Sequence, residues 1–229
     1  MSDILYVLGK ESVYDNLELR LSLRSVEKYV KNMDRVFIVG EKPDWLKNVI
    51  HIKSDDIYTK ETNIFNAVML ACKNDISSDF LYMNDDFFIT GEIDAKTYPY
   101  YTDGCMRFIE NPSRYQEVQN KTLMAFQTLY KDEPVYSCEM HCPIRFNKRK
   151  FLSLKSYLDD SKESRIGYFF RTVYDNIFIS DYCKTQDCKL WSNDKIYFPP
   201  QNCISTNDEC DEIMEELKKM YPDKSKYET

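Results

Sequence analysis

Asn84, Asp85 and Asp86 stand directly after the apolar run Asp79-Phe80-Leu81-Tyr82-Met83 and directly before Phe87-Phe88-Ile89. Two charges set between two apolar runs are costly to place unless something pairs them. In an open α/β sheet, ligands bind beyond the carboxyl ends of the strands. Hard divalent cations take carboxylate oxygens and bridge to substrate phosphates. The triplet therefore reads as a metal–diphosphate site, with an Asx turn on a surface loop as the plainer alternative. His141, one of two histidines, lies in the proline-stiffened stretch Met140-His141-Cys142-Pro143-Ile144. A histidine, titrating near neutrality, suits removal of a proton from a hydroxyl; a structural role is the alternative. His51 reads as a packed core or edge residue.

Further candidates surround these. Arg171 lies outside the apolar stripe of a later helix, where it either grips phosphate oxygens bidentately or joins surface ion pairs with its charged neighbours. Asp208 either caps an acidic helix or serves as a third metal ligand. Arg20 and Arg24, spaced i, i+4, are phosphate contacts or solvated helix charges. Asn63 is a helix cap or a ligand contact.

The elements that must position these residues follow from periodicity. Residues 3–8, ending at Gly9, read as a buried strand, followed by strands over 35–40, 49–52 and 79–83. Helices are expected from about Leu17, where Asp15 or Asn16 could cap, and over 62–73. Others are expected from the Asn111-Pro112 cap to about Tyr130, over 148–157, over 161–179 and over 208–220. Residues 138–147 read as extended. The order strand, helix, strand, strand, helix, strand begins an α/β sandwich with a mostly parallel sheet and a helical C-terminal half. One domain over 1–222 is expected, divided near residue 90, with 223–229 as a polar tail.

Composition narrows the chemistry. The chain has 229 residues, 18 tyrosines and 13 phenylalanines, so its core should be aromatic. Only five glycines are present, and the glycine-rich dinucleotide, P-loop and nucleophile-elbow signatures are absent. A net charge of −7 argues against tight nonspecific nucleic-acid binding. The N-terminus has no cationic or long apolar stretch, so no signal peptide or membrane span is expected. The eight cysteines then read as free thiols of a reducing cytosol. The expected location is cytoplasmic, the host cytoplasm if the protein is viral.

Taken together, the blocks Glu18-Leu19-Arg20-Leu21-Ser22-Leu23-Arg24, Val36-Phe37-Ile38-Val39-Gly40, Pro43-Asp44-Trp45-Leu46, Asn63-Ile64-Phe65-Asn66-Ala67 and Asp79 to Phe88 carry a resemblance over roughly residues 14 to 90. The chain resembles the Stealth-type sugar-phosphate transferases and the related short phage and bacterial glycosyltransferases of GT-A type. His141-Cys142-Pro143, Arg171 and Ile204-Ser205-Thr206-Asn207-Asp208 are similar to later elements of that family. Tyr6-Val7-Leu8-Gly9-Lys10 lacks the tryptophan and acidic residue expected after the first strand, and the intervening segments are short; both features favour the short glycosyltransferase branch.

The resemblance implies a GT-A-like fold, a nucleoside-diphosphate sugar donor and a divalent metal, Mg²⁺ or Mn²⁺. The expected roles are metal binding by Asp85, Asp86 and Asp208, catalysis by His141, Asp86 and Arg171, and donor binding by Gly9, Arg20, Arg24, Asn63, Asn84 and Asp85. Residues 1–90 would hold the donor and 91–222 the acceptor hydroxyl, on a glycan or a modified nucleic-acid base. Transfer of sugar 1-phosphate from the same donor site is one alternative reading. A non-catalytic carbohydrate- or partner-binding module is another.

Overall fold

Ile4 to Leu8 carry no polar alternation, the pattern of a strand covered on both faces, and they form the centre of the sheet. The computed structural model describes residues 1–10, 15–130, 133–192, 194–206 and 210–229. The strands that position the site are β1 (Ser2–Leu8), β2 (Met33–Gly40), β3 (Ile50–Ile52), β4 (Asp79–Met83), β5 (Phe87–Ile89), β6 (Ile144–Asn147), β7 (Lys189–Leu190) and β8 (Cys203–Thr206). The main sheet has the order β6-β4-β1-β2-β3. Its strands run parallel except β6, which pairs antiparallel with β4. A second sheet, β7-β8-β5, begins where β4 ends. The four expected N-terminal strands and the mostly parallel sheet are all present.

The helices are α1 (Leu17–Tyr29), α2 (Lys60–Lys73), α3 (Arg114–Leu129), α4 (Lys148–Leu152), α5 (Lys155–Ser164), α6 (Phe170–Phe178) and α7 (Asp211–Met220). Leu19, Leu23 and Val26 of α1 cover one face of the sheet against Ile4, Tyr6, Ile38 and Leu81. The other face is the expected aromatic core, where Phe65, Phe80, Phe146, Phe151, Phe170 and Tyr174 pack together. Phe146 has ring neighbours in Phe151 at 4.8 Å and Tyr174 at 4.7 Å.

Three helix expectations need correction. α3 is capped by Ser113 in a capping box with Gln116, while Asn111 sits upstream in a left-handed conformation, φ 52°. The expected helix over 148–157 is two helices, α4 and α5, with a break between Leu152 and Lys155. The expected helix over 161–179 is also broken. Arg165 is left-handed at φ 58°, ending α5, and Gly167 presses on α2 so closely that a Cβ there would lie 2.6 Å from that of Glu61. The apolar spacing through Ile166 and Phe169 thus spans two elements. The start of the helix expected at Asp208 lies outside the described residues.

Residues 223–229, expected as a polar tail, pack onto the body. Tyr227 is 1% exposed and Glu228 3%. The Glu228 carboxylate accepts from Nε and a terminal nitrogen of Arg24, both at 2.8 Å, and lies 3.5 Å from Arg20. Removing one member of a buried pair leaves the other's charge uncompensated. Because the arginines keep some solvent contact, Glu228→Ala should cost about 2–3 kcal/mol, somewhat less than a fully buried pair. That is a fall in melting temperature of roughly 5–10 °C for a chain of this size. Thermal unfolding of the variant checks it; an unchanged midpoint would mean that the segment contributes nothing.

Candidate functional site

β4 ends at Met83 and the chain reverses at once, with Phe87 N–H bonded to the Asn84 carbonyl at 3.3 Å. This turn carries Asn84, Asp85 and Asp86 at the carboxyl end of a parallel strand, the position where open α/β sheets bind ligands. Each of the three is half-buried. Asn84 Oδ1 accepts from the Tyr82 hydroxyl at 2.8 Å. Asp86 Oδ2 accepts from Ser205 Oγ at 2.7 Å, a contact set by the pairing of Ser205 opposite Phe87 in the second sheet. Burial, then repulsion from Asp86 and Glu18, pushes the Asp85 carboxyl up to about 7. Burial also raises Asp86, offset in part by the Ser205 hydroxyl and by the positive influence of His141 and Lys189.

His141 is fixed by Asp187, a residue sequence reading did not single out. One Asp187 oxygen accepts from the His141 backbone N–H at 2.7 Å, the other from ring Nδ1 at 2.5 Å. A carboxylate in this range only accepts, so the proton sits on Nδ1 and Nε2 is left as the basic nitrogen. The Asp187 carboxyl is raised by burial, but the bonds and charge of His141 and the Cys188 N–H outweigh that and hold it below the usual range. Cys188 Sγ in turn donates to the His141 carbonyl at 2.9 Å. Both sides of the His141 peptide are held.

Arg171, in the first turn of α6, is not a surface ion-pair residue. It is 5% exposed, donates to the Cys142 carbonyl at 2.6 Å, and its Nε has no hydrogen-bond partner among the described residues. Arg171, His141, Asn84, Tyr82, Glu139 and Lys60 line one cavity of about 180 Å³. Glu139, also not foreseen, accepts from the Thr172 N–H at the start of α6 at 3.1 Å. Asp85 and Asp86 lie on the turn beside this lining rather than in it.

The remaining candidates are dispersed. Arg20 and Arg24 are engaged with Glu228, and Arg20 also lies 3.9 Å over the ring of Trp45. Asn63 closes a local turn onto both the N–H and the carbonyl of Tyr58. Gly9 follows the end of β1, exposed, and Asp208 is outside the described residues. His51 is held by the Gly40 carbonyl at 2.8 Å. All eight cysteines are free, six of them buried.

Among the described residues no group of three or more His, Cys, Asp and Glu converges as a ligand set. The donor types nevertheless suit a hard cation. Asp85 and Asp86 present carboxylate oxygens from one turn, neither in an ion pair among the described residues, and burial raises both, with like charge adding to the rise of Asp85. Those two residues would hold a divalent ion.

Comparison with known proteins agrees with the earlier resemblance. Residues 12–106 match Stealth protein CR2, conserved region 2. The capsular polysaccharide phosphotransferases cps1A and cps12A of Actinobacillus pleuropneumoniae are 30% identical over 105 residues, 40% of this chain. The chain spans 29% and 28% of their lengths, well under a third. The galactosyltransferase LgtC, solved in complex with donor and acceptor sugar analogs, superposes with a TM-score of 0.51 at 11% identity, covering 98% of both chains. An active-site mutant of LgtC gives 0.53 at 10%. At such identity the likeness speaks for the fold, which is GT-A-like. No helix among the described residues is long and apolar enough to cross a membrane.

Proposed function

We propose that this chain, Stealth-like over residues 12–106 and GT-A-like in fold, transfers a sugar from a nucleoside-diphosphate sugar to an acceptor hydroxyl. The observation that carries the proposal is that an oriented base, His141–Asp187, and a buried cation, Arg171, share a cavity with the strand-end Asn84. Asp85 and Asp86 would hold Mg²⁺ or Mn²⁺, which when bound neutralises charge on the diphosphate. His141 Nε2 takes the proton of the attacking hydroxyl, and Asp187 stabilises the imidazolium that results. Arg171, shielded from water, stabilises negative charge developing on the departing phosphate.

Asp187 is a positioning residue in this scheme. Asp187→Asn keeps the shape of the contact but presents an amide that can donate to Nδ1, turning the basic nitrogen away from the cavity. A general base is worth roughly 10²–10⁴-fold, so kcat should fall at least a hundredfold with KM for the donor little changed. Steady-state kinetics of the variant tests this; a proportionate change in both constants would point to a structural role instead.

A second reading keeps the same donor site but transfers sugar 1-phosphate. It is favoured by the 30% identity to capsular polysaccharide phosphotransferases over 105 residues, and by the Stealth CR2 match over residues 12–106, which include the aspartates. The two differ in the bond broken. Sugar transfer releases the nucleoside diphosphate, and sugar-phosphate transfer releases the monophosphate. Chromatography of the released nucleotide decides between them, once a thermal-shift screen of UDP, GDP and CDP sugars with Mn²⁺ has identified the donor. No metal-dependent shift with any of them would remove both readings and leave a non-catalytic binding module.

A further inference from the structure

α3 has two stripes. Val118, Leu123 and Phe126 are buried in the core. Asn120, Lys121, Met124 and Ala125 lie to one side of them and floor a groove of about 500 Å³. Glu117 and Thr128 of the same helix, with Phe108, Pro112, Ile166 and Tyr168, complete its lining. Phe108 is 58% exposed and Met124 56%. Exposed apolar side chains gathered in one groove offer a surface to an apolar group.

What the groove can bind is limited by its polar groups: apart from Glu117, which is exposed, those that α3 contributes are already engaged. The Asn120 side chain bonds both the N–H and the carbonyl of Ile109, at 2.9 and 2.8 Å. The Lys121 ammonium is shared among Ser164 Oγ, the Ile166 carbonyl and Asp160. The Thr128 hydroxyl donates back to the Met124 carbonyl. Away from the Glu117 carboxylate, a peptide or an oligosaccharide would bury donors and acceptors there without partners, at a cost. A hydrocarbon or aryl group would not.

The groove also reaches the candidate site. Tyr168 lines both the groove and the cavity of His141 and Arg171. It is 8% exposed, and its ring is fixed by Lys121 at 4.2 Å above it and by Tyr157 edge-on at 5.2 Å. We propose that the groove receives the apolar aglycone of the acceptor, whose hydroxyl enters the cavity past Tyr168. The acceptor class is then an amphipathic glycoside, a sugar carried on a hydrocarbon or aryl group. This inference rests on the cavity being the transfer site.

The test compares methyl and n-octyl β-D-glucopyranoside below the micellar concentration, by calorimetry on the full chain, with UDP, GDP and CDP plus Mn²⁺ measured in parallel. Each buried methylene is worth about 0.8 kcal/mol; even partial burial of the chain should make the octyl glycoside bind at least about tenfold more tightly. Met124→Lys, on an exposed position, should abolish that preference while nucleotide affinity stays as in the wild type; Phe108→Ser is the second variant should the lysine disturb α3. Equal affinity for the two glycosides, or an octyl preference untouched by both variants, overturns the proposal. So does self-association masking the groove, seen as a dimer by size exclusion that Met124→Lys dissociates. An octyl preference with no nucleotide bound would instead remove the sugar-transfer reading and leave the groove as an apolar-ligand site.

Discussion

Asp86→Asn should lower turnover by a thousandfold or more while leaving the fold intact. Asparagine keeps the shape and can still accept from Ser205 Oγ, the contact of 2.7 Å that ties the β4–β5 turn to the second sheet. What it loses is the negative charge, and with it the capacity to hold a hard cation against a diphosphate. Removing one preorganised group that stabilises transition-state charge costs 10²–10³-fold, and loss of the cation adds to that. Circular dichroism and thermal unfolding would establish that the variant is folded, and single-turnover kinetics with Mn²⁺ would measure the chemical step. Turnover within tenfold of the wild type in a folded variant would exclude Asp86 from the reaction. An independent consequence concerns its neighbour. With Asp86 neutral, one of the repulsions raising the Asp85 carboxyl disappears, so that group should titrate closer to its ordinary range.

The donor half was legible because its signals are local. An apolar run followed by two charges marks β4 and its turn, and no tertiary knowledge is needed to see that the charges demand a partner. His141 and Arg171, thirty residues apart, were legible one at a time, each with a structural alternative; their shared cavity is a consequence of β6 pairing with β4 and α6 packing on the same aromatic cluster. Asp187 and Ser205 were illegible for a different reason. Each acts through a contact far away in sequence, Ser205 through the antiparallel pairing that sets it opposite Phe87 and Asp187 through its bonds to His141, and no spacing in the sequence encodes either. Arg20 and Arg24 misled because i, i+4 spacing reports only that two side chains share a helix face. What that face meets is Glu228, more than two hundred residues away. The helix expected over 161–179 failed at Gly167, where close packing on Glu61 overrode an unbroken apolar period.

Asp85→Asn should stabilise the protein above neutral pH, although it removes a residue assigned to the site. Burial, then the charges of Asp86 and Glu18, pushes the Asp85 carboxyl up to about 7, against about 3.9 for an unfolded aspartate. Because the folded value is the higher one, the native state binds the proton more tightly than the unfolded chain. The contribution of Asp85 to stability is therefore fully present below about pH 4 and is lost as pH rises through about 7. Three units would correspond to roughly 4 kcal/mol; since Asp85 is only half-buried, about 2 kcal/mol is the expected size after screening. Asparagine does not titrate. The variant should match the wild type in urea unfolding at pH 4.5 and exceed it by about 2 kcal/mol at pH 8, with activity strongly reduced. A gain that is the same at both pH values would mean the effect comes from packing or hydrogen bonding rather than charge. A loss at pH 8 would mean that the carboxylate already has a cationic partner and is not waiting for one. The predicted pattern, more stable and less active, is that of a residue kept in a strained electrostatic position for the ligand it binds.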